Sequence, residues 1–287
     1  MYRSIVVGYD ESLASQAALK ESSLWVKKHG GSLTLVHAVY FDEEEFSLLP
    51  SQMEKRFEAG TKVCRAAKET LHADYGLNGS VESLVCQGEP PAMIAEVAQN
   101  KKADLIALGT YGRKGLKRLL MGSVTAQVIL EAPCDVLIVK RSCAACTGMY
   151  TSLLVPFDGS EFSRKALLRA IELAKIDNGR ITVLYTIPRY EEMVEFYRSE
   201  SIKKGLSQEA EKVIEQARTI AKDAKTLVGA VIREGHAADE IVREADKRES
   251  DLIVMGTYGW RGVNKAIMGS TTNRVIMHAS TPVLVVK

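Results

Sequence analysis

The chain contains the same sequence twice, and this duplication constrains its fold more than any other feature. The stretch "SIVVGYDESLAS" at Ser4 returns as "SLLVPFDGSEFS" at Ser152, and "DLIALGTYG" at Asp104 returns as "DLIVMGTYG" at Asp251. The offset between the copies is therefore 148 residues near their start and 147 towards their end. A repeat of this length is typical of whole domains rather than of the short units of a solenoid. We predict two tandem domains.

Each copy alternates short aliphatic runs with amphipathic segments. The runs "RSIVVGY", "SLTLVHAV", "VESLVCQ", "ADLIALG" and "DVLIVK" of the first copy lack strict alternation, as do parallel strands that are buried on both faces. Between such runs of the second copy, Ala166, Ala170, Leu173 and Ala174 fall on one helical face. Five strands alternating with four helices predict an α/β fold with a doubly wound parallel sheet in each copy. The predicted domains are residues 1–141 and 150–287, with a linker at 142–149.

Composition excludes several classes of protein. The net charge is +2, and no dense Lys/Arg tract or aromatic-interleaved basic patch appears, so we expect no nucleic-acid partner. No apolar run approaches the roughly 18 residues of a membrane span. Asp10 interrupts the opening apolar run, which argues against a secretory leader. We therefore expect a cytoplasmic protein without a membrane partner.

The five cysteines do not indicate a disulfide framework, because their number is odd. Cys143 and Cys146 form a C-x-x-C within the predicted linker. One such pair supplies only two zinc ligands, and no second pair is near in sequence. We interpret them as linker cysteines, and the alternative is a metal or redox site completed by another chain or a distant residue.

The most informative motif follows the fourth predicted strand. It reads "GTYGRKGLKRLLMGSVT" from Gly109 and "GTYGWRGVNKAIMGSTT" from Gly256. Ligands of doubly wound sheets lie beyond the carboxyl ends of the strands, where this connection runs. Glycine lets the backbone approach a ligand, and the helix that opens at Gly122 offers unpaired amides to phosphate. The motif is either such an anion cradle or a structural turn.

Polar side chains accompany the motif. Ser123 and Thr125 add hydroxyl donors, and Asp10 and Asp158 follow the first strand of each copy. A carboxylate there can accept hydrogen bonds from ribose hydroxyls, serve as a helix N-cap, or do both. The loop also carries basic side chains that either contact phosphate or are solvated: Arg113, Lys114, Lys117 and Arg118.

Rival catalytic and nucleotide motifs are missing from the sequence. There is no G-x-x-x-x-G-K-[ST], no G-x-G-x-x-G after the first strand, and no G-x-S-x-G. None of the five histidines recurs at an equivalent place in both copies, so we predict no catalytic residue. We expect His37, which aligns with Tyr185, to be a packed core histidine.

The spacing G-x2-G-x9-G-[ST] resembles the ATP-binding signature of the universal stress protein family. It occurs as Gly109, Gly112, Gly122 and Ser123, and again as Gly256, Gly259, Gly269 and Ser270. The first-strand Asp followed by Ser and the ending "V-L-[IV]-V-K" extend the resemblance over nearly the whole chain. It implies, in each domain, a five-stranded parallel sheet of order 3-2-1-4-5 flanked by helices, similar to the adenine nucleotide alpha hydrolase fold.

The resemblance also implies ATP at the carboxyl edge of each sheet. In the first domain the implied binding residues are Gly8, Tyr9, Asp10, Ala38, Leu108, Gly109, Gly112, Arg113, Gly122, Ser123, Val124 and Thr125. In the second domain they are Pro156, Phe157, Asp158, Thr186, Met255, Gly256, Gly259, Gly269, Ser270, Thr271 and Thr272. Mg²⁺ or Mn²⁺ would be held through the phosphates rather than by protein side chains. Gly8 departs from the more usual proline, which puts equal occupancy of the two sites in question.

Three functions remain open at this point. The family resemblance implies a nucleotide-dependent stress-response or signalling module, and a homodimer in addition to the internal pair of domains. The second function is a slow ATPase or phosphotransferase, since the chain shows no obvious general base beyond the Asp. The third is a structural interaction platform in which nucleotide is incidental.

Overall fold

The computed structural model of the chain describes residues 1–40, 50–77, 79–110, 121–140, 148–188, 200–259 and 268–287. The chain divides into two compact units, Met1–Met149 and Tyr150–Lys287. Residues 142–147 of the predicted linker, with Cys143 and Cys146, lie outside the described residues. The domain limits at 141 and 150 therefore stay a prediction.

The described part of the first unit contains five strands and four helices. In chain order they are β1 Ser4–Gly8, α1 Leu13–His29, β2 Ser32–Val39, α2 Pro50–Tyr75, β3 Val81–Gln87, α3 Pro90–Asn100, β4 Leu105–Gly109, α4 Ser123–Glu131 and β5 Asp135–Val139. The strands form a parallel sheet of order β3-β2-β1-β4-β5. This confirms the fold class and the strand order 3-2-1-4-5.

The second unit repeats this architecture. Its described elements are β6 Ser152–Pro156, α5 Glu161–Asp177, β7 Arg180–Ile187, α6 Glu200–Asp223, β8 Val228–Glu234, α7 Ala237–Lys247, β9 Leu252–Gly256, α8 Ser270–His278 and β10 Val283–Val286. The parallel strand order is β8-β7-β6-β9-β10. The predicted doubly wound sheet is thus present in both units.

No helix of the described ranges is long and apolar enough to cross a bilayer.

The strand order of each sheet reverses at its central strand. In β1, Ile5 pairs with Leu33 of β2 on one side and with Leu105 of β4 on the other. Likewise, β6 lies between β7 and β9. The connections that leave β1 and β4 run to opposite sides, so a crevice opens at their carboxyl ends.

The central strands are buried on both faces, which explains their unbroken aliphatic sequence. Neighbouring residues Val6 and Val7 of β1 are both 0% exposed, and so are Leu154 and Val155 of β6. Since successive side chains of a strand point to opposite faces, both faces of these strands are covered by helices. The core therefore holds the strand ends, and the crevice above them, in a fixed position.

The second unit contains a buried ion cluster that the first unit lacks at the matching positions. Glu244 of α7 is 2% exposed and accepts hydrogen bonds from Arg233 of β8 at 3.1 Å and from Arg248 at 2.5 Å. The first unit carries Cys86, Val97 and Lys101 at the equivalent places. α7 is thus tied to β8 by charge, and the residues at the equivalent places of the first unit cannot form this ion cluster.

The Glu244 cluster predicts acid sensitivity. Burial by itself would raise the pKa of Glu244, but hydrogen bonds and charge from Arg248 and Arg233 outweigh it and lower the pKa. A lowered pKa contributes free energy of unfolding that is complete above the ordinary value of 4.5 and is lost as the pH falls through the folded-state value. We expect Glu244→Gln to lower the stability at pH 7 by about 1–3 kcal/mol, because a charged hydrogen-bond acceptor is removed.

Thermal unfolding followed by circular dichroism between pH 7 and pH 3 measures this effect. The gap between the native chain and Glu244→Gln should close in acid. Glu161→Gln is the matched control, because the Glu161 carboxylate is 79% exposed and lies 3.7 Å from Lys165. A gap that stays constant down to pH 3 would contradict the assignment.

Candidate functional site

A cavity of about 650 Å³ lies at the carboxyl edge of the second sheet. It is formed by the ends of β6, β7 and β9 together with the first residues of α7 and α8. All eleven residues that the family resemblance implies for the second domain line it: Pro156, Phe157, Asp158, Thr186, Met255, Gly256, Gly259, Gly269, Ser270, Thr271 and Thr272. The structure thus brings together residues that are more than 100 positions apart in sequence.

Other residues that the sequence did not indicate also line the cavity. They are Ser163, Leu184, Tyr185, Pro188, Ala237, Ile241, Tyr258 and Met268. Ala237 and Ile241 belong to α7, whose amphipathic pattern is that of an ordinary packed helix. Its sequence carries no signal that one end faces a cavity.

The first unit places its implied residues at the matching points. Gly8 ends β1 and is followed by Tyr9 and Asp10, while Leu108 and Gly109 end β4. Ala38 lies in β2, and the group Gly122, Ser123, Val124 and Thr125 forms the N-cap and first turn of α4. Gly112 and Arg113, with Lys114, Lys117 and Arg118, fall outside the described residues, so their roles stay predictions.

The helices that follow the glycine motif begin without a side-chain cap. The N-cap residues of α4 and α8 are Gly122 and Gly269, and neither makes a side-chain cap hydrogen bond. By contrast, Ser12 and Ser160 cap α1 and α5 by accepting from the amides of residues 15 and 163, each at 3.2 Å. The N-cap residues of α4 and α8 therefore supply no side-chain acceptor to the first amides of these helices.

Backbone conformation does not explain the glycines at these two N-caps. Gly122 has φ −58° and ψ 139°, and Gly269 has φ −55° and ψ 134°, values that any residue adopts. Ser, Thr, Asp and Asn are the usual N-caps and would satisfy the helix amides themselves. Glycine at this position has no side chain that could accept from these amides, and a Cβ here would lie 3.0–3.3 Å from a main-chain carbonyl oxygen.

Two other motif glycines serve helix packing. A Cβ atom at Gly109 would lie 2.5 Å from the carbonyl carbon of Ala14, and one at Gly256 would lie 2.6 Å from Cβ of Phe162. Gly109 packs against the first turn of α1, and Gly256 packs against the first turn of α5. The motif thus combines glycines that allow close packing with glycines that leave space.

The threonine hydroxyls are engaged within the fold. Thr125 Oγ1 donates to the Gly109 carbonyl at 2.8 Å, and Thr272 Oγ1 donates to the Gly256 carbonyl at 3.0 Å. These bonds tie the first turn of α4 or α8 to the end of the preceding strand. The Thr125 hydroxyl, which the sequence offers as a donor to phosphate, thus has a partner within the fold, and its role towards a ligand stays a prediction.

In each unit the aspartate that follows the first strand lies two residues before the serine that caps the next helix. Oδ1 of Asp10 accepts from the Ser12 amide at 3.1 Å, and Oδ1 of Asp158 accepts from the Ser160 amide at 3.0 Å. Neither Asp is itself the N-cap residue. A Cβ atom at Gly259 would lie 2.8 Å from Oδ2 of Asp158, so this glycine lets the main chain pass beside the carboxylate.

His37 is half-buried and supports the first unit's aspartate segment. Its Nδ1 donates to the Tyr9 carbonyl at 2.8 Å, which fixes the residue next to Asp10. In the second unit Tyr185 takes this place and lines the cavity. His37 thus has a structural partner that accounts for its position.

Aromatic packing supports the rim of the second cavity. The rings of Phe162 and Tyr258 meet edge to face, with centroids 5.2 Å apart. Tyr258 directly precedes Gly259, so the contact fixes the start of the loop on α5. The first unit has Ala14 where the second has Phe162, and an alanine offers no such ring.

Burial raises the pKa of two of the described thiols, Cys64 and Cys86. Burial, followed by the neighbouring Cys86, raises the pKa of Cys64 to about 11. Burial and then Glu96 raise the pKa of Cys86 above its ordinary value. Both thiols are protonated at neutral pH, and protonated thiols do not attack substrates.

Comparison with known proteins gives one consistent result. The model of the universal stress protein family matches residues 1–140 and again residues 149–287. Universal stress protein Rv2005c of Mycobacterium tuberculosis is 26% identical over 99% of this chain and 96% of its own length. The crystal structure of a universal stress protein from Archaeoglobus fulgidus superposes with a TM-score of 0.72 at 20% identity, covering 99% of this chain and 98% of that one. A universal stress protein crystallised in complex with cAMP is 27% identical over 49% of this chain and 99% of its own, with a TM-score of 0.39.

Proposed function

Because the chain belongs to the universal stress protein family, with one family domain in each half, we propose that each unit binds an adenine nucleotide, with ATP as the principal ligand. Binding stabilises one conformation of the chain and thereby acts as a signal in a stress response. A cytoplasmic homodimer, which the family resemblance implies, is part of the same proposal.

The open N-termini of α4 and α8 carry this proposal. In each unit serine caps the helix after the first strand, and the helices after the third and fourth strands have no side-chain cap. Of these two, the helix after the fourth strand has glycine at its N-cap. Uncapped amides and the positive end of the helix dipole together favour an anion such as phosphate. The same arrangement in two copies of a duplicated chain supports a retained binding role.

The rest of the cavity suits a nucleoside. Pro156, Met255 and Ile241 supply apolar surface for a base, and Asp158 supplies a carboxylate oxygen for ribose hydroxyls. Among the described residues that line the cavity, Asp158 is the one acidic side chain. A divalent ion would be held by the phosphates and would neutralise their charge, with Asp158 as the nearest carboxylate of the lining.

Thermal unfolding with ATP and Mg²⁺ tests the proposal. At about a hundred times its Kd, ATP should stabilise each unit by about 2.7 kcal/mol, which raises Tm by roughly 10 °C for a unit of this size. Mg²⁺ without nucleotide is the control. Mass spectrometry of nucleotide released from the purified protein then identifies the ligand. An unchanged Tm, with no nucleotide released, would refute the proposal.

Hydrolysis is the alternative outcome at the same site. Phosphoryl transfer needs a group that positions water and a charge clamp on the phosphates. The described lining offers Asp158 for the first task. Phosphate release that is lost in the double variant Ser123→Ala, Ser270→Ala would identify a slow ATPase rather than a binding module.

A further inference from the structure

The two units differ at the last residue of the first strand. Pro156 ends β6, is half-buried, and lines the cavity of the second unit. The matching residue of the first unit is Gly8, which ends β1 and is buried. A rigid ring thus faces the ligand space in one unit, and a residue without a side chain stands there in the other.

Neighbouring side chains fill the place of the missing ring. A Cβ atom at Gly8 would lie 2.5 Å from Cδ2 of Leu108 and 2.9 Å from Cδ1 of Ile94. Leu108 and Ile94 therefore occupy, in the first unit, the volume next to the strand end that Pro156 occupies in the second. Each of the two is 4% exposed.

The counterparts of these two side chains identify the volume as part of the site. Met255 matches Leu108 and Ile241 matches Ile94, and both line the cavity beside Pro156. Position 8 or 156 and its two neighbours thus form one surface, which we call the floor of the site. The floor consists of Gly8, Leu108 and Ile94 in the first unit, and of Pro156, Met255 and Ile241 in the second.

We propose that the floor sets the affinity of each unit for the base of its nucleotide, making the second unit the tight site and the first unit the weak one. This inference rests on the proposed function, since it assigns the floor to the same ligand. Gly8 and Pro156 are the residues that determine the difference.

The physical reason is the surface that each floor offers. The ring of Pro156 is exposed to the cavity and has almost no rotamer freedom to lose when a base packs on it. In the first unit the place of the ring is filled by Leu108 and Ile94, which are each 4% exposed and so offer a ligand little apolar surface. A single methylene in an apolar pocket changes affinity about tenfold or more, so we expect a difference of roughly tenfold in Kd.

Two substitutions exchange the floors, because Ile94 and Ile241 are already identical in type. Gly8→Pro with Leu108→Met gives the first unit the floor of the second. Pro156→Gly with Met255→Leu gives the second unit the floor of the first. Ala38 and Thr186, which also differ between the sites, stay as they are.

The experiment uses the full chain with one site blocked at a time. Gly269→Val blocks the second site and reports on the first, and Gly122→Val blocks the first and reports on the second. Titration calorimetry with ATP and Mg²⁺ should give a Kd roughly tenfold lower for the second unit. Pro156→Gly with Met255→Leu should raise that Kd roughly tenfold, and Gly8→Pro with Leu108→Met should lower the Kd of the first unit by a similar factor.

The outcomes separate this inference from the proposed function. Equal Kd values for the two units, or an unchanged Kd after Pro156→Gly with Met255→Leu, overturn the role of the floor while ATP binding stands. Absence of ATP binding in the unsubstituted chain overturns both. Circular dichroism melts verify folding, and if Gly8→Pro unfolds its unit, the reciprocal exchange in the second unit decides.

Discussion

We expect the double variant Gly122→Val, Gly269→Val to lose ATP binding while both units stay folded. The γ-methyl groups of valine would fill the space beside the first amides of α4 and α8, where the phosphates are proposed to lie. Losing two hydrogen bonds to a charged phosphate costs about 3 kcal/mol or more, which is roughly a hundredfold in affinity. Titration calorimetry in the full chain measures this loss.

The fold should tolerate these valines. The nearest atom to a Cβ at Gly122 is the Thr110 carbonyl oxygen at 3.0 Å, and at Gly269 it is the Thr257 carbonyl oxygen at 3.3 Å. Each carbonyl must give by a few tenths of an ångström, a smaller shift than the 2.5 Å main-chain contact of a Cβ at Gly109 requires. Gly205→Val is the matched control, because a Cβ at this glycine of α6 meets no atom within 4 Å. Native ATP affinity in the folded double variant would remove the site assignment.

We expect Gly109→Ala and Gly256→Ala, unlike the valine substitutions at Gly122 and Gly269, to destabilise the fold. At Gly109 the new Cβ would lie 2.5 Å and 2.6 Å from main-chain atoms of Ala14 and Ser15. Main-chain atoms cannot rotate away, so α1 must move off β4. Overpacking of this kind costs about 2–3 kcal/mol, or roughly 10 °C in Tm for a unit of this size.

A second glycine of the same unit provides the comparison for Gly256→Ala. In β8, a Cβ at Gly229 would meet its nearest atom, the Ile181 carbonyl oxygen, at 3.6 Å, an ordinary contact. Gly229→Ala should therefore leave Tm nearly unchanged. If calorimetric melts showed the same Tm for both variants, the packing role of Gly256 would be wrong.

Much of the fold was predictable because its signals are local or repeated. Aliphatic runs without alternation, such as "SIVVG" and "SLLVP", mark strands covered on both faces, and the structure buries Val6 and Val7 as this pattern requires. Because the chain is duplicated, each strand and helix could be predicted from two copies of its pattern. Strand order came from the family resemblance, since no local pattern distinguishes a 3-2-1-4-5 sheet from another doubly wound order.

The finer chemistry of the site depends on contacts between distant residues. Thr125 reads as a phosphate donor in sequence, yet its hydroxyl is bound to the carbonyl of Gly109, sixteen positions earlier. Ile241 reads as the buried face of an ordinary helix, and its place in the cavity wall follows from how α7 packs on β7. Gly109 and Gly122 look alike in the motif, and only the position of α1 shows that a side chain at Gly109 would collide with a helix while one at Gly122 would meet a single carbonyl oxygen at 3.0 Å.

The Glu244 cluster has a consequence for exchanging segments between the two copies. Glu244 accepts hydrogen bonds from Arg233 and Arg248, whereas the first unit has Cys86 in place of Arg233. Recombination that exchanged α3 and α7 alone between the two copies would bury a carboxylate opposite a thiol and leave Arg233 without its counterion. We therefore expect the two halves of the chain not to be interchangeable in this stretch.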